Sequence, residues 1–205
     1  MKTLILNIDT AGPDALAEAA RLVRDGALAV FPTDTVYGLG ANALRAESVA
    51  RIYALKNRPP GKPLPVFAGS VVTARKIAQF TAPAEKLAAR FWPGRLTLIL
   101  PPAPGWAAFA RGAAGIGVRV PGHSRLRGWL ATIGEPLAQT SANSSGSPAL
   151  TDEAGVLARF DGAVDIILTG GQLNGTESTV ADLTGLAPVL LRQGAVTAED
   201  FLAAL

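Results

Sequence analysis

The chain has 205 residues, of which 49% are hydrophobic, with a formal net charge of +3, a single histidine and no cysteine. Its length and apolar content suit one compact domain with a real core. Disulfides, thiolate catalysis and cysteine metal sites are excluded. One histidine leaves no metal-ligand spacing in view, and the small basic excess fits an anion-binding pocket at least as well as a nucleic-acid surface.

Residues 1–6 read as a first strand and lack the long apolar core of a signal peptide. No apolar run approaches bilayer length, so the chain is expected in the cytoplasm, away from membranes. A turn at residues 10–13 leads into a helix carrying Leu16, Ala19, Ala20 and Val23 at helical spacing, with Gly26 as its C-cap. Residues 28–31 read as a buried strand stopped by Pro32. The polar segment 32–40 follows, then a helix over 48–56 with Val49, Ile52 and Tyr53 on one face. Residues 57–63 hold three prolines and a glycine and must be loop.

A strand is expected over 64–68, helices over 72–80 and 83–91, and a strand over 96–100. An irregular stretch runs through 101–115, followed by a strand over 116–120. Ser124 is expected to cap a helix reaching Leu130, and a strand over 137–140 runs into the polar loop 141–148. A short helix (152–160), a strand (165–168) and two closing strands (178–183 and 188–192) follow, and Thr197 with Asp200 resembles a capping pattern for a last helix. Strands and helices mix without strict alternation. The expected fold is therefore an α/β domain spanning residues 1–205, with a twisted mixed sheet rather than a doubly wound one. Neither common nucleotide loop is present, nor is a nucleophile elbow that could use His123. His123 precedes a helix and reads as structural.

Four polar segments at strand ends could carry chemistry. Pro32-Thr33-Asp34-Thr35-Val36-Tyr37-Gly38-Leu39-Gly40 offers hydroxyls, a carboxylate and two flexible glycines. Lys56-Asn57-Arg58-Pro59-Pro60-Gly61-Lys62 packs three cations into a proline-stiffened loop suited to phosphate. Thr140-Ser141-Ala142-Asn143-Ser144-Ser145-Gly146-Ser147-Pro148, followed by Thr151, is dense in small donors and acceptors. The fourth segment runs from Glu177 through Ser178 and Thr179 to Leu183, with Leu191-Arg192-Gln193-Gly194 shortly after. Alone, each has a plain structural reading: a tight turn, a solvated basic loop, a flexible linker, or a strand pair with an edge arginine.

In combination they resemble the YrdC-like family of L-threonylcarbamoyladenylate synthases, in its short single-domain form. The family's K-x-R and S-x-N signatures stand as Lys56-Asn57-Arg58 and Ser141-Ala142-Asn143. Gly117-Val118-Arg119-Val120-Pro121, Ser178-Thr179-Val180 and the run ending at Gly194 match in order and spacing. The resemblance implies a mixed sheet around a basic groove and synthesis of the adenylate from L-threonine, bicarbonate and ATP, with pyrophosphate released. The product would serve N6-threonylcarbamoyladenosine formation in tRNA, through hand-off to a tRNA threonylcarbamoyl transferase complex. The resemblance implies that magnesium is carried with ATP and that no metal is held by the protein.

The resemblance casts Lys56 and Arg58 as catalytic and assigns ATP contacts to Arg58, Lys62, Ser141, Asn143, Thr151 and Arg192. Threonine would meet Thr35, Arg119 and Ser178. Both Lys56 and Arg58 are expected to be partly exposed. Three departures stand out. By that resemblance Phe67 occupies the place of a histidine in longer members, the position near Gly115 lacks a hydroxyl that some relatives carry, and the longer subtype's C-terminal domain is expected to be missing, since the sequence stops soon after Arg192.

Two rivals come with the same fold. One is an RNA-binding module without adenylate synthesis, against which 6% aromatic content and the lack of a basic run count. The other is a carbamoyl-handling module of a hydrogenase-maturation factor, whose cysteine-rich fingers have no counterpart here.

Overall fold

The computed structural model describes residues 2–143 and 146–205. In chain order the elements are β1 (Leu4–Asn7), α1 (Pro13–Asp25), β2 (Ala29–Phe31), β3 (Gly38–Asn42), α2 (Ala46–Lys56) and β4 (Val66–Phe67). Then come α3 (Val71–Ile77), α4 (Ala82–Phe91), β5 (Leu96–Leu100), a 3-10 turn (Ala107–Ala110), β6 (Ile116–Arg119) and α5 (Ser124–Ile133). The chain closes with β7 (Leu137–Ser141), α6 (Glu153–Phe160), β8 (Ile166–Thr169), β9 (Thr179–Asp182), β10 (Val189–Arg192) and α7 (Ala198–Ala203).

Among the described residues the strands form one mixed ten-stranded sheet in the order β1-β8-β2-β3-β7-β4-β6-β5-β9-β10. Its pairs β1–β8, β2–β8, β4–β6 and β5–β9 are parallel. Neighbouring residues of the inner strands feed two cores. Val30 and Ile167 pack with Ile52, Leu87, Phe160 and Phe201 of helices α2, α4, α6 and α7. Ala29, Phe31, Ile166 and Leu168 pack with Ala19, Ala20 and Val23 of α1 and Leu126, Trp129 and Leu130 of α5. This two-faced burial explains why these strands read as continuous apolar runs. Among the described residues no helix is long and apolar enough to cross a membrane.

The sequence reading missed β3. It took residues 32–40 as one polar loop, but the last three belong to a buried strand between β2 and β7. Gly38 and Gly40 are not hinges. They make room for Phe31: a Cβ at Gly38 would lie 2.8 Å from the Phe31 ring, and one at Gly40 would lie 2.9 Å from the Ala138 carbonyl. Glycines in strands commonly mark such close approach.

The start of α5 also differs from expectation. His123, not Ser124, is the N-cap, and its Nδ1 accepts a hydrogen bond from the Leu126 amide at 3.2 Å. His123→Ala should lower the unfolding free energy by about 1 kcal/mol, read by denaturant melts, with turnover unchanged. Asparagine there should restore most of the loss.

The register brings the polar segments together. Gly38 pairs with Ser141, so the hairpin loop after β2 and the loop after β7 share one end of the sheet. Phe67 pairs with both Arg119 and Leu137, and Leu96 pairs with Thr179.

Candidate active site

The hairpin loop between β2 and β3 is braced by its own hydroxyls. Thr33 Oγ1 donates to the Val36 carbonyl at 2.7 Å and accepts from the Thr35 amide at 3.0 Å. Its single proton is thereby used, so the 2.8 Å contact between the two hydroxyls runs from Thr35 Oγ1 to Thr33 Oγ1. Thr35 Oγ1 is then turned to accept from Arg119 Nη1 at 3.3 Å.

Arg119, at the end of β6, is 3% exposed. Its Nη2 donates to Asp34 Oδ1 at 2.6 Å and its Nε to the Gly94 carbonyl at 2.8 Å. The guanidinium lies over the Phe67 ring, 5.5 Å from its centroid. Burial pulls its pKa below the ordinary arginine value, Asp34 opposes that pull, and the nearby Arg95 and Arg192 add to it.

Lys56 ends α2, which the left-handed Asn57 (φ 48°) closes. Its ammonium donates to Asn143 Oδ1 at 2.5 Å, to the Ser141 carbonyl and, at 3.4 Å, to Thr140 Oγ1. The K-x-R and S-x-N signatures are therefore stapled together. The expected partial exposure holds for Arg58 but not for Lys56, which is 5% exposed because the loop after β7 folds over the end of its helix. Burial and the repulsion of Arg58 and Lys62 lower its pKa to about 8, against a pull from Glu177. Arg58 donates to the carbonyls of Lys62 (3.0 Å) and Pro63 (2.7 Å), which closes the proline loop on itself.

In the polar loop, Ser141 Oγ donates to Asn143 Oδ1 at 2.9 Å and Asn143 Nδ2 to the Ser147 carbonyl at 2.5 Å. Ser144 and Ser145 of the same run lie outside the described residues. Across the cleft, Ser178 Oγ shares a hydrogen bond with Thr97 Oγ1 at 3.0 Å, and Arg192 Nη2 donates to the Ser178 carbonyl at 2.8 Å. Arg192 also pairs with Glu177.

Gly194 packs against this corner with no space to spare. A methyl there would sit 2.3 Å from the Glu177 carbonyl oxygen and 2.6 Å from the Ser178 carbonyl carbon. Gly194→Ala should displace Ser178 and cut turnover on the order of 100-fold. Steady-state rates would check this, with a melting temperature to show that the fold persists.

These groups line one cleft of about 700 Å³. Thr35, Lys56, Arg58, Lys62, Arg119, Ser141, Asn143, Ser178 and Arg192 all border it. Thr151 is not among the lining residues; its hydroxyl accepts from Gln172 Nε2 at 3.3 Å. Gly115 lines the cleft and has no room for a side chain, since a Cβ would come within 2.5 Å of Thr184 Cγ2. Sequence reasoning missed Thr97 and Gln139, and it included Thr33 and Asp182 in its polar segments without giving either a role. For Thr97 there was a signal: a lone hydroxyl in the apolar strand Leu96-Thr97-Leu98-Ile99-Leu100.

The chain matches the Sua5/YciO/YrdC family model, described as telomere recombination, over residues 21–194. It is 42% identical to a threonylcarbamoyl-AMP synthase of Pyrococcus abyssi, across 89% of this chain and 54% of that one. It is 40% identical to a threonylcarbamoyl-AMP synthase of Bacillus subtilis, across 93% and 56% of the two chains. A crystal structure of P. abyssi Sua5 complexed with L-threonine superposes with a TM-score of 0.93 at 39% identity, covering 99% of this chain and 61% of that one. The chain thus spans about half the length of the curated relatives it matches.

Proposed function

Because the chain belongs to the Sua5/YciO/YrdC family, we propose that residues 1–205 form a YrdC-like synthase domain that makes L-threonylcarbamoyladenylate from L-threonine, bicarbonate or CO2, and ATP. The observation that carries this reading is that these groups share one cleft. It brings a buried, oriented arginine into one lining with a cluster of cations and small polar groups.

In the proposed reaction the threonine amine adds to CO2. A C–N bond forms and the nitrogen loses a proton. The resulting carbamate oxygen attacks the α-phosphorus of ATP, the bond to the β-phosphate oxygen breaks, and pyrophosphate leaves with the electron pair. Such a step needs alignment and charge neutralisation more than an acid–base pair. Arg119 would hold the threonine carboxylate, with Thr35 and Ser178 beside it. Arg58, Lys62 and Arg192 would face the phosphates, and Ser141 with Asn143 the nucleotide. Lys56 would add positive charge while holding the S-x-N loop in place. Thr151, with its hydroxyl on Gln172, would support that loop from outside the cleft. Magnesium would enter with ATP, held by phosphate oxygens and water. We place the enzyme in the cytoplasm, as a nucleotidyltransferase whose product passes to a tRNA threonylcarbamoyl transferase complex for modification at position 37.

The test is pyrophosphate release with ATP, magnesium, bicarbonate and L-threonine, omitting each component in turn and substituting serine in one arm. Release that needs both threonine and bicarbonate supports the reading. No release, together with strongly salt-dependent RNA binding, would favour the RNA module instead.

A further inference from the structure

Asp34 does not border the cleft, yet it is the closest partner of the arginine that does. Its Oδ1 takes the Arg119 Nη2 hydrogen bond, while its Oδ2 is buried with no partner among the described residues. The backbone at Gly122 closes over that oxygen, since a Cβ there would lie 2.7 Å from it. Leaving a carboxylate oxygen unpaired in the interior costs stability that an apolar pair of the same shape would avoid. The arrangement therefore calls for an explanation other than stability.

Arg119 has five N–H groups. Asp34 Oδ1, the Gly94 carbonyl and Thr35 Oγ1 take three of them, and the Phe67 ring covers a face. The guanidinium is thus fixed in plane and direction, and two N–H groups are left for a ligand. The neighbouring Arg192 carries its own counter-charge in Glu177. Asp34 does the same for Arg119, so the buried cation at this end of the cleft is neutralised before any substrate arrives.

We propose that Asp34 is a positioning and charge-setting residue: it aims Arg119 and cancels its charge, so that this end of the cleft selects a zwitterionic α-amino acid over a free inorganic anion. The inference rests on the reading of Arg119 as the partner of the amino-acid carboxylate. A bare buried guanidinium would attract any small oxyanion and repel the substrate's ammonium group. A neutralised one offers directional hydrogen bonds to a carboxylate without that repulsion.

Asp34→Asn keeps the volume and one acceptor but removes the charge. It should raise the KM for L-threonine about 30-fold while changing kcat less than about threefold. It should also make sulfate a competitive inhibitor against threonine, whereas the wild-type chain should resist sulfate. Stabilisation by ATP alone should persist in thermal melts, showing that the fold and the phosphate end are intact. If Asp34→Asn lacks that ATP response, Asp34→Glu carries the test. It keeps the charge but moves it by one methylene, and should raise the KM without gaining sulfate sensitivity. A threonine KM equal to wild type in the variant that retains the ATP response would overturn the inference, as would joint loss of threonine and ATP binding in both. A wild-type chain that binds ATP but not threonine would instead overturn the functional reading beneath it.

Discussion

Lys56→Ala should lower turnover by at least about 100-fold, the scale of losing one charge-stabilising donor in a preorganised site. The ammonium bridges the end of α2 to Thr140, Ser141 and Asn143, so its loss both removes positive charge from the cleft and releases the S-x-N loop. Because Lys56 is buried, stability should fall too, by about 1–3 kcal/mol for the acceptors left unsatisfied. A pH signature separates charge from packing. The Lys56 pKa is lowered to about 8, so the ammonium is present below that pH and is lost as pH rises through it. ATP affinity, measured by calorimetry to avoid the bicarbonate equilibrium, should therefore weaken as pH rises through about 8. In Lys56→Arg, where the charge persists, that decline should flatten.

Replacing Arg119 should be more damaging to the fold and equally damaging to the reaction. Arg119→Ala strands Asp34 in the interior, and breaking a buried pair from one side costs about 3–5 kcal/mol. It also removes the proposed carboxylate partner, so L-threonine should no longer raise the melting temperature. Arg119→Lys keeps a charge but loses the planar fork that reaches Asp34, Gly94 and Thr35 together. It should recover part of the stability and little of the threonine response. Denaturant melts with and without threonine would read both effects.

Much of this site is legible because the informative residues are local. Polar, glycine-bearing stretches after apolar strands mark the loops, and the proline run by itself makes the cationic segment a loop. What stays hidden depends on distant parts of the chain. Strand β3 is masked because glycine has low strand propensity, and the Phe31 ring that requires Gly38 lies across the hairpin. The burial of Lys56 depends on a loop 85 residues away folding over its helix, and the Asp34–Arg119 pair spans a similar separation. The tight fit of Gly194 shows only once the Glu177–Ser178 peptide is seen packed against it. Thr151 lies just past the polar run, and only the fold turns its hydroxyl toward Gln172.

The most direct test of the central claim is to incubate the chain with ATP, magnesium, L-threonine and ¹³C-bicarbonate. Nucleotide products would be weighed by mass spectrometry while pyrophosphate is counted. The account predicts one adenylate carrying both threonine and the labelled carbon, formed in step with pyrophosphate and absent when either precursor is withheld. Pyrophosphate without that product, or a threonyl adenylate lacking the label, would contradict it.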